Sequence, residues 1–170
     1  MATLHLTRET SATPAQVWDV VAAFDGYGAW MPLTRMVTDD GPPRVGWGFA
    51  GITGLRRLAF SDSMLVTRWD PPTQLSADPS TAAASDGSPP PTPAVFRVVK
   101  TGWLLGGWAE VTVSPRADGG SRLDWVEDVV VRPLPFKRLF APLLDRASAW
   151  LYGRAVDAML VRAASGRTRP

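Results

Sequence analysis

The alternation of apolar and polar positions divides the chain into one strand, a helical pair, six further strands and a long final helix. Residues 4–8 alternate as a half-buried strand does. Further segments of this character are separated by glycine and proline turns, at residues 33–38, 45–52, 61–70, 96–101, 107–114 and 122–132. This order predicts an α+β domain in which a curved, seven-stranded antiparallel sheet wraps around a long C-terminal helix.

The helical pair follows the first strand. Thr13 is placed to cap a helix, Pro14 occupies its first position, and Gln16 completes the pattern of a capping box. Val17 and Val21 recur at the spacing of one helix face, which predicts that this face is buried. Two short helices are therefore expected between the first and second strands.

The last third of the chain has the period of a helix over residues 139–163. Proline is tolerated best in a first turn, so we expect the helix to begin near Pro142 rather than to be kinked there. At about 100° per residue, one broad apolar stripe forms. We expect the stripe to pack on the sheet, with these members: Leu143, Leu144, Ala147, Trp150, Leu151, Ala155, Ala158 and Val161.

Residues 1–165 are expected to form a single domain, because the length suits one sizeable core. Residues 71–94 are rich in proline, serine and alanine, and the strand pattern resumes after them. This composition predicts a flexible hairpin loop within the domain rather than a linker between domains. Residues 166–170 are expected to form a disordered tail.

Composition and charge narrow the possible partners. The chain is 45% hydrophobic and 20% charged, and no apolar run is long enough to cross a bilayer, so stable membrane insertion is not expected. A formal net charge of +2 without a dense basic block argues against nucleic-acid binding. The absence of cysteine and of a secretory signal favours the cytoplasm. One histidine and no acidic cluster at ligand spacing indicate neither a metal nor another cofactor.

Two charged residues fall on faces that should be buried. In the last strand Glu127 shares its face with Leu123 and Trp125, and Arg154 lies within the helical stripe. Buried charges are costly unless they are paired or used, and one interpretation is that these two meet. The alternatives are a structural salt bridge, an Arg154 side chain that reaches out to water, or a site. In a site, Arg154 would orient a ligand and Glu127 would hold it or act as a general base.

Small and aromatic residues in the interior are compatible with a pocket and also with a closely packed core. Alanines on the helix stripe, together with Ala109 on a strand, either leave space or let the helix approach the sheet closely. The 8 tryptophans are either core residues or walls for a flat ligand. The candidate ligand-binding residues are Trp30, Trp47, Phe49, Val111, Trp125, Glu127, Ala147, Trp150, Leu151, Arg154 and Ala158.

The order of the elements and the residues at their joints resemble a known family. The carriers are ATPAQVW at residues 12–18, YGAWMP at 27–32, TRWDPP at 67–72, SRLDWVE at 121–127 and the amphipathic C-terminal helix. Together they resemble the polyketide cyclase/dehydrase-like branch of the START and birch-pollen-allergen superfamily, which has the helix-grip fold. The resemblance implies an apolar cavity between sheet and helix, and a hydrophobic small molecule as its ligand.

Three functions are compatible with this interpretation of the sequence. The first is binding of a hydrophobic or aromatic molecule, such as a lipid or a polyketide, by a monomer or homodimer. The second is an enzyme similar to polyketide aromatase/cyclases, which would act as a cyclase or dehydratase without a cofactor and use Glu127 and Arg154 as catalytic candidates. The third is an interaction module that recruits a partner through its outer sheet face or its basic tail.

Overall fold

The computed structural model describes residues 3–55, 59–72, 92–132 and 137–166, and for residues 137–149 it describes the backbone alone. The strands are β1 (Thr3–Thr10), β2 (Thr34–Thr38), β3 (Gly48–Thr53), β4 (Phe60–Asp70), β5 (Ala94–Lys100), β6 (Leu105–Pro115) and β7 (Ser121–Val131). The helices are α1 (Pro14–Val21), a short 3₁₀ helix (Phe24–Ala29) and α2 (Lys137–Ala164). Most of the predicted loop and tail, residues 73–91 and 167–170, lies outside the described residues.

The strands form a 7-stranded sheet in the order β1-β7-β6-β5-β4-β3-β2. Every neighbouring pair is antiparallel. Strands β2 to β7 form a meander in which each strand pairs with its neighbour in sequence, and β1 extends this meander by pairing with β7. The α+β helix-grip fold and the seven strands predicted from the sequence are confirmed for the part of the chain that the structure describes.

The start of α1 follows directly from its sequence. The Thr13 hydroxyl accepts a hydrogen bond from the backbone N–H of Gln16, and the Gln16 side chain accepts one from the backbone N–H of Thr13. The predicted capping box is therefore present. Val17 and Val21 are fully buried, so the predicted face of α1 is the one that packs on the core.

Helix α2 begins earlier than the sequence indicated. It starts at Lys137 instead of near Pro142, so Pro142 lies within the helix. Proline has no backbone N–H, so Pro142 cannot donate a hydrogen bond to the preceding turn of the helix. The N–H groups of the first turn have no partner within the helix in any case, and Pro142 follows soon after that turn, so the cost is one hydrogen bond.

Among the described residues, no helix combines the length and the apolar character that crossing a membrane requires.

The orientation of α2 differs from the predicted stripe. From residue 150 onwards its buried face carries Ala155, Val156, Met159, Leu160 and Ala163, whereas Trp150 and Val161 are exposed. The helix packs against α1 and beside β1. Only Ala155 of the described stripe members is buried as predicted, because the helix has apolar residues on more than one face.

The core is rich in aromatic rings. Phe24, on the 3₁₀ helix, stacks on Phe49 of β3 with ring centroids 4.4 Å apart and meets Phe96 of β5 edge-on at 5.1 Å. Trp18 of α1 contacts Phe96 and Trp69 from the other side. These rings fix the short helices against β3, β4 and β5, and they form one end of the interior.

Glycine is required at one position beside the interior. Gly107 of β6 has a φ of 115°, and a Cβ atom there would lie 1.8 Å from the carbonyl oxygen of Asp128 on β7. Gly107 also pairs with Lys100 of β5. The absence of a side chain therefore allows β5, β6 and β7 to come together at this point.

Candidate functional site

A cavity of about 90 Å³ lies on the inner face of the sheet, and the 3₁₀ helix and Tyr152 of α2 complete its described lining. Most of its described walls are apolar, and the residues concerned are Phe24, Met31, Met36, Phe49, Gly51, Met64, Phe96, Val98, Ala109 and Trp125. The remaining lining residues are polar: Tyr27, Thr34, Thr53, Asp62, Lys100, Glu127 and Tyr152. The cavity thus has an apolar body and a polar end, as binding sites for small molecules commonly do.

The polar end is a connected cluster centred on Lys100. Its Nζ atom donates to Oδ2 of Asp62 at 2.7 Å and lies 3.3 Å from Oε1 of Glu127. The Tyr152 hydroxyl donates to the same Glu127 oxygen at 3.3 Å. The side chains of Lys100 and Glu127 are only 3% and 2% exposed, and that of Asp62 is 14% exposed. The cluster therefore places three charged groups in the interior.

Strand parity explains how these groups meet. Lys100 shares the inward face of β5 with Phe96 and Val98, because side chains on alternate residues point to the same side of a sheet. Pairing of β4 with β5 sets Met64 opposite Lys100, and Asp62 is two residues further along the same face. Glu127 reaches the cluster from β7, and Tyr152 reaches it from α2.

The environment keeps Lys100 protonated. Burial by itself lowers the pKa of Lys100, but the interactions with Tyr152, Glu127 and Asp62 outweigh burial, so the pKa of this ammonium group is raised above its ordinary value. A lysine with a raised pKa stays charged at neutral pH. Lys100 is therefore suited to electrostatic and hydrogen-bonding roles rather than to attack as a free amine.

Several polar atoms of residues that line the cavity have no hydrogen-bond partner in the described part of the chain. Oδ1 of Asp62, Oε2 of Glu127 and Nε1 of Trp125 are buried and unpartnered among the described residues. A buried polar group without a partner usually costs about 1–3 kcal/mol. Such atoms in a native interior indicate a place where a ligand or water completes the hydrogen bonding.

Among the predicted ligand-binding residues, Phe49, Trp125 and Glu127 line the cavity. Trp47 and Val111 are buried in the surrounding core. The ring centroids of Trp47 and Phe24 are 5.8 Å apart. Three further candidates are half-buried and do not line the cavity, namely Trp30, Leu151 and Ala158. The side chain of Ala147 lies outside the described residues.

The predicted pairing of Arg154 with Glu127 is wrong. Arg154 is exposed, and its guanidinium lies 5.9 Å from the ring centre of Trp150, which is itself 67% exposed. Both residues lie on the outer face of α2 because the helix is rotated relative to the predicted stripe. Glu127 is buried as predicted, but Lys100 supplies its counter-charge.

Lys100, Asp62 and Tyr152 were missed by the sequence analysis. Two features of the sequence point to Lys100. It alternates with Phe96 and Val98, so it belongs to the inward face of its strand. In addition, Lys100 and Lys137 are the only lysines in a chain whose other basic side chains, apart from one histidine, are arginines.

Asp62 has a signal of the same kind, because it alternates with Met64 and the fully buried Val66 on one face of β4. No comparable signal identifies Tyr152. The part of Asp62 and Tyr152 in the cluster depends on strand register and helix rotation.

The described ranges contain no group of three or more histidine, cysteine, aspartate or glutamate side chains that could hold an ion. His5 is on the outer side of the sheet, 3.7 Å from Asp124 and 60% exposed. The candidate site consists of the cavity and its polar cluster.

Comparison with known proteins agrees with this architecture. A family model described as polyketide cyclase / dehydrase and lipid transport matches residues 1–163. The chain belongs to this family. No curated protein matches the chain in sequence.

Three solved structures show the same fold. The protein TTHA0849 from Thermus thermophilus is 10% identical, with a TM-score of 0.67 over 98% of this chain and 100% of that one. The ZhuI aromatase/cyclase from a Streptomyces species is 14% identical, with a TM-score of 0.64 over 98% and 99%. A START superfamily protein from Mycobacterium smegmatis is 16% identical, with a TM-score of 0.55 over 97% and 95%. These likenesses establish the fold alone.

The two tyrosines of this protein allow a direct test of how well the cavity is shielded from water. The chain has 2 tyrosines, Tyr27 and Tyr152, and both line the cavity. Burial first, and then the charge of Glu127, raises the pKa of each phenol above its ordinary value. We therefore expect almost no tyrosinate absorbance in the folded protein as the pH passes about 10, where an unfolded chain ionises.

The sign of the pH effect follows from linkage. Above about pH 10 the unfolded state loses phenolic protons that the folded state keeps, so the stability present below that pH falls as the pH rises. Tyrosinate absorbance should therefore appear together with the loss of circular dichroism in an alkaline titration. Ionisation near pH 10 in a protein that keeps its native circular dichroism would contradict the buried arrangement.

Proposed function

We propose that this protein binds a small hydrophobic molecule, aromatic or lipid-like, in the cavity on the inner face of the sheet. The observation that carries the proposal is the combination of apolar walls with a buried polar end. Apolar walls supply binding energy in proportion to the area that they remove from water. The polar cluster of Lys100, Asp62, Glu127 and Tyr152 would orient the ligand.

The unpartnered wall atoms support binding over simple core packing. A well-packed core leaves few buried polar atoms unsatisfied, yet three such atoms belong to residues that line this one cavity. Ala109 also leaves space in the wall, at a position where its strand neighbours Val111 and Val113 are fully buried. A ligand with an apolar body and a polar group would occupy the space beside Ala109 and supply hydrogen-bond partners for the unpartnered atoms.

Filling the cavity provides the test. Ala109→Leu is expected to weaken binding of the neutral fluorescent probe N-phenyl-1-naphthylamine by about tenfold or more, because the added side chain occupies ligand space. Ala50→Leu is the matched control, since Ala50 lies on β3 between the inward-facing Phe49 and Gly51 and so points to the other face. Fluorescence titration measures both variants. Equal binding by the two variants, or no binding by the parent protein, would refute the proposal.

A second candidate function is catalysis by a cyclase or dehydratase without a cofactor. The observation that favours it is the buried pairing of a carboxylate with an ammonium group, because Glu127 is placed to accept a proton and Lys100 to stabilise negative charge on an oxygen. A further support is that one protein of similar fold is described as an aromatase/cyclase. Loss of turnover of a linear poly-β-ketone thioester in Glu127→Gln, with binding of that thioester retained, would favour this candidate.

The remaining sequence-based expectations stay predictions. They are a monomer or homodimer in the cytoplasm, a single domain, and no binding of nucleic acid. The interaction module also stays an alternative, because its predicted basic tail lies beyond the described residues.

A further inference from the structure

The charges of the described side chains at the polar end of the cavity do not balance. Asp62 and Glu127 contribute two carboxylates, and Lys100 contributes one ammonium group. Among the described residues, no second cation forms an ion pair with either carboxylate. A buried charge that lacks a counter-charge is costly, so a group of positive charge at this position would be stabilised.

The free atoms at this end are mainly hydrogen-bond acceptors. Lys100 contacts Oδ2 of Asp62 and Oε1 of Glu127, which leaves Oδ1 of Asp62 and Oε2 of Glu127 unpartnered. The Tyr152 hydroxyl already donates a hydrogen bond to Glu127. A ligand that meets this end must therefore bring donors, because an ionised carboxylate only accepts hydrogen bonds.

We infer that the cavity binds a small primary amine in its ammonium form, with an aromatic or alkyl body among the apolar walls. This inference rests on the proposed function and specifies its ligand class. The ammonium group would donate to the free oxygens of Asp62 and Glu127 and complete the charge balance. A neutral alcohol would satisfy one acceptor without balancing the charge, and a carboxylate would face the two carboxylates directly.

Three probes of matched size separate these cases. Phenethylamine, 2-phenylethanol and phenylacetate share a phenyl ring and a short side chain, and at neutral pH they are a cation, a neutral molecule and an anion. By titration calorimetry on the full chain, phenethylamine is expected to bind about tenfold or more tightly than 2-phenylethanol, a difference of about 1.4 kcal/mol. Phenylacetate is expected to bind more weakly than the alcohol.

Removing one carboxylate should remove the preference. Glu127→Gln keeps the size of the side chain and leaves Lys100 paired with Asp62, so the cluster becomes neutral. We expect the preference for phenethylamine over 2-phenylethanol to fall to about threefold or less, a remaining difference within about 0.7 kcal/mol. Asp62→Asn is the second variant, and it is used in the same way if Glu127→Gln does not fold. Asp157→Asn removes an exposed carboxylate that binds Arg8 on the outside, and it should leave the preference unchanged.

The outcomes distinguish the inference from the proposed function. Equal binding of the amine and the alcohol would overturn the inference and leave the cavity as a binding site. Tighter binding of phenylacetate would overturn it as well. An amine preference that survives in both Glu127→Gln and Asp62→Asn would also overturn it. No binding of any of the three probes would count against the proposed function itself.

Discussion

Replacing Lys100 by methionine is expected to lower the free energy of unfolding by about 3–5 kcal/mol at neutral pH. The substitution keeps an unbranched side chain of similar length but leaves Asp62 and Glu127 close to each other in the interior without a counter-charge. The desolvation of two buried carboxylates is then uncompensated, and they repel each other. Denaturant unfolding followed by circular dichroism measures the loss.

A set of variants separates charge from packing at this position. The triple variant Lys100→Met, Asp62→Asn, Glu127→Gln removes all three charges, and it should be more stable than Lys100→Met alone. Arg68→Met is the exposed control, because Arg68 pairs with Asp70 at the surface and such pairs contribute about 0–1 kcal/mol. If Lys100→Met is no more destabilising than Arg68→Met, the buried cluster does not have the energetic role assigned to it.

Truncation of Phe24 is expected to have a comparably large effect. Phe24 is 2% exposed, stacks on Phe49, meets Phe96 edge-on and lines the cavity. Phe24→Ala should lower the free energy of unfolding by about 3–5 kcal/mol, through lost transfer energy and an enlarged cavity. Chemical denaturation measures this loss, and Trp103→Ala is the control, since Trp103 is 70% exposed and should change stability by about 0.5 kcal/mol or less.

The same substitution also bears on ligand size. Because Phe24 forms part of the wall, Phe24→Ala adds space beside Phe49 and Phe96. In a variant that still folds, N-phenyl-1-naphthylamine should bind at least as tightly as in the parent protein. A small change in stability together with weaker probe binding would show that the ring neither supports the core nor limits the cavity.

Strand parity was the most reliable guide from sequence to site. Alternation in β7 predicted that Leu123, Trp125 and Glu127 face inward, and all three are buried. The same rule applied to β5 would have placed Lys100 inward as well. Parity succeeds because successive side chains of a strand point to opposite faces whatever the neighbouring strand is.

The periodicity of α2 was a weaker guide. It predicted a helix over most of the observed range, but the stripe that it selected includes the exposed Trp150, Val161 and the region of Arg154. A helix with apolar residues on more than one face has no unique buried side in its sequence. Contact with α1 and β1 decided which face turned inward.

The sequence by itself determined the order of the elements, the capping box of α1 and the burial of Glu127, because these depend on local geometry and on a period of two along a strand. Only the tertiary structure decided that Lys100, rather than Arg154, lies beside Glu127. Asp62, Lys100, Glu127 and Tyr152 come from three strands and a helix, so strand register and helix rotation brought them together. Register and rotation depend on packing between elements that are distant in the chain, so the pattern within one element does not fix them alone.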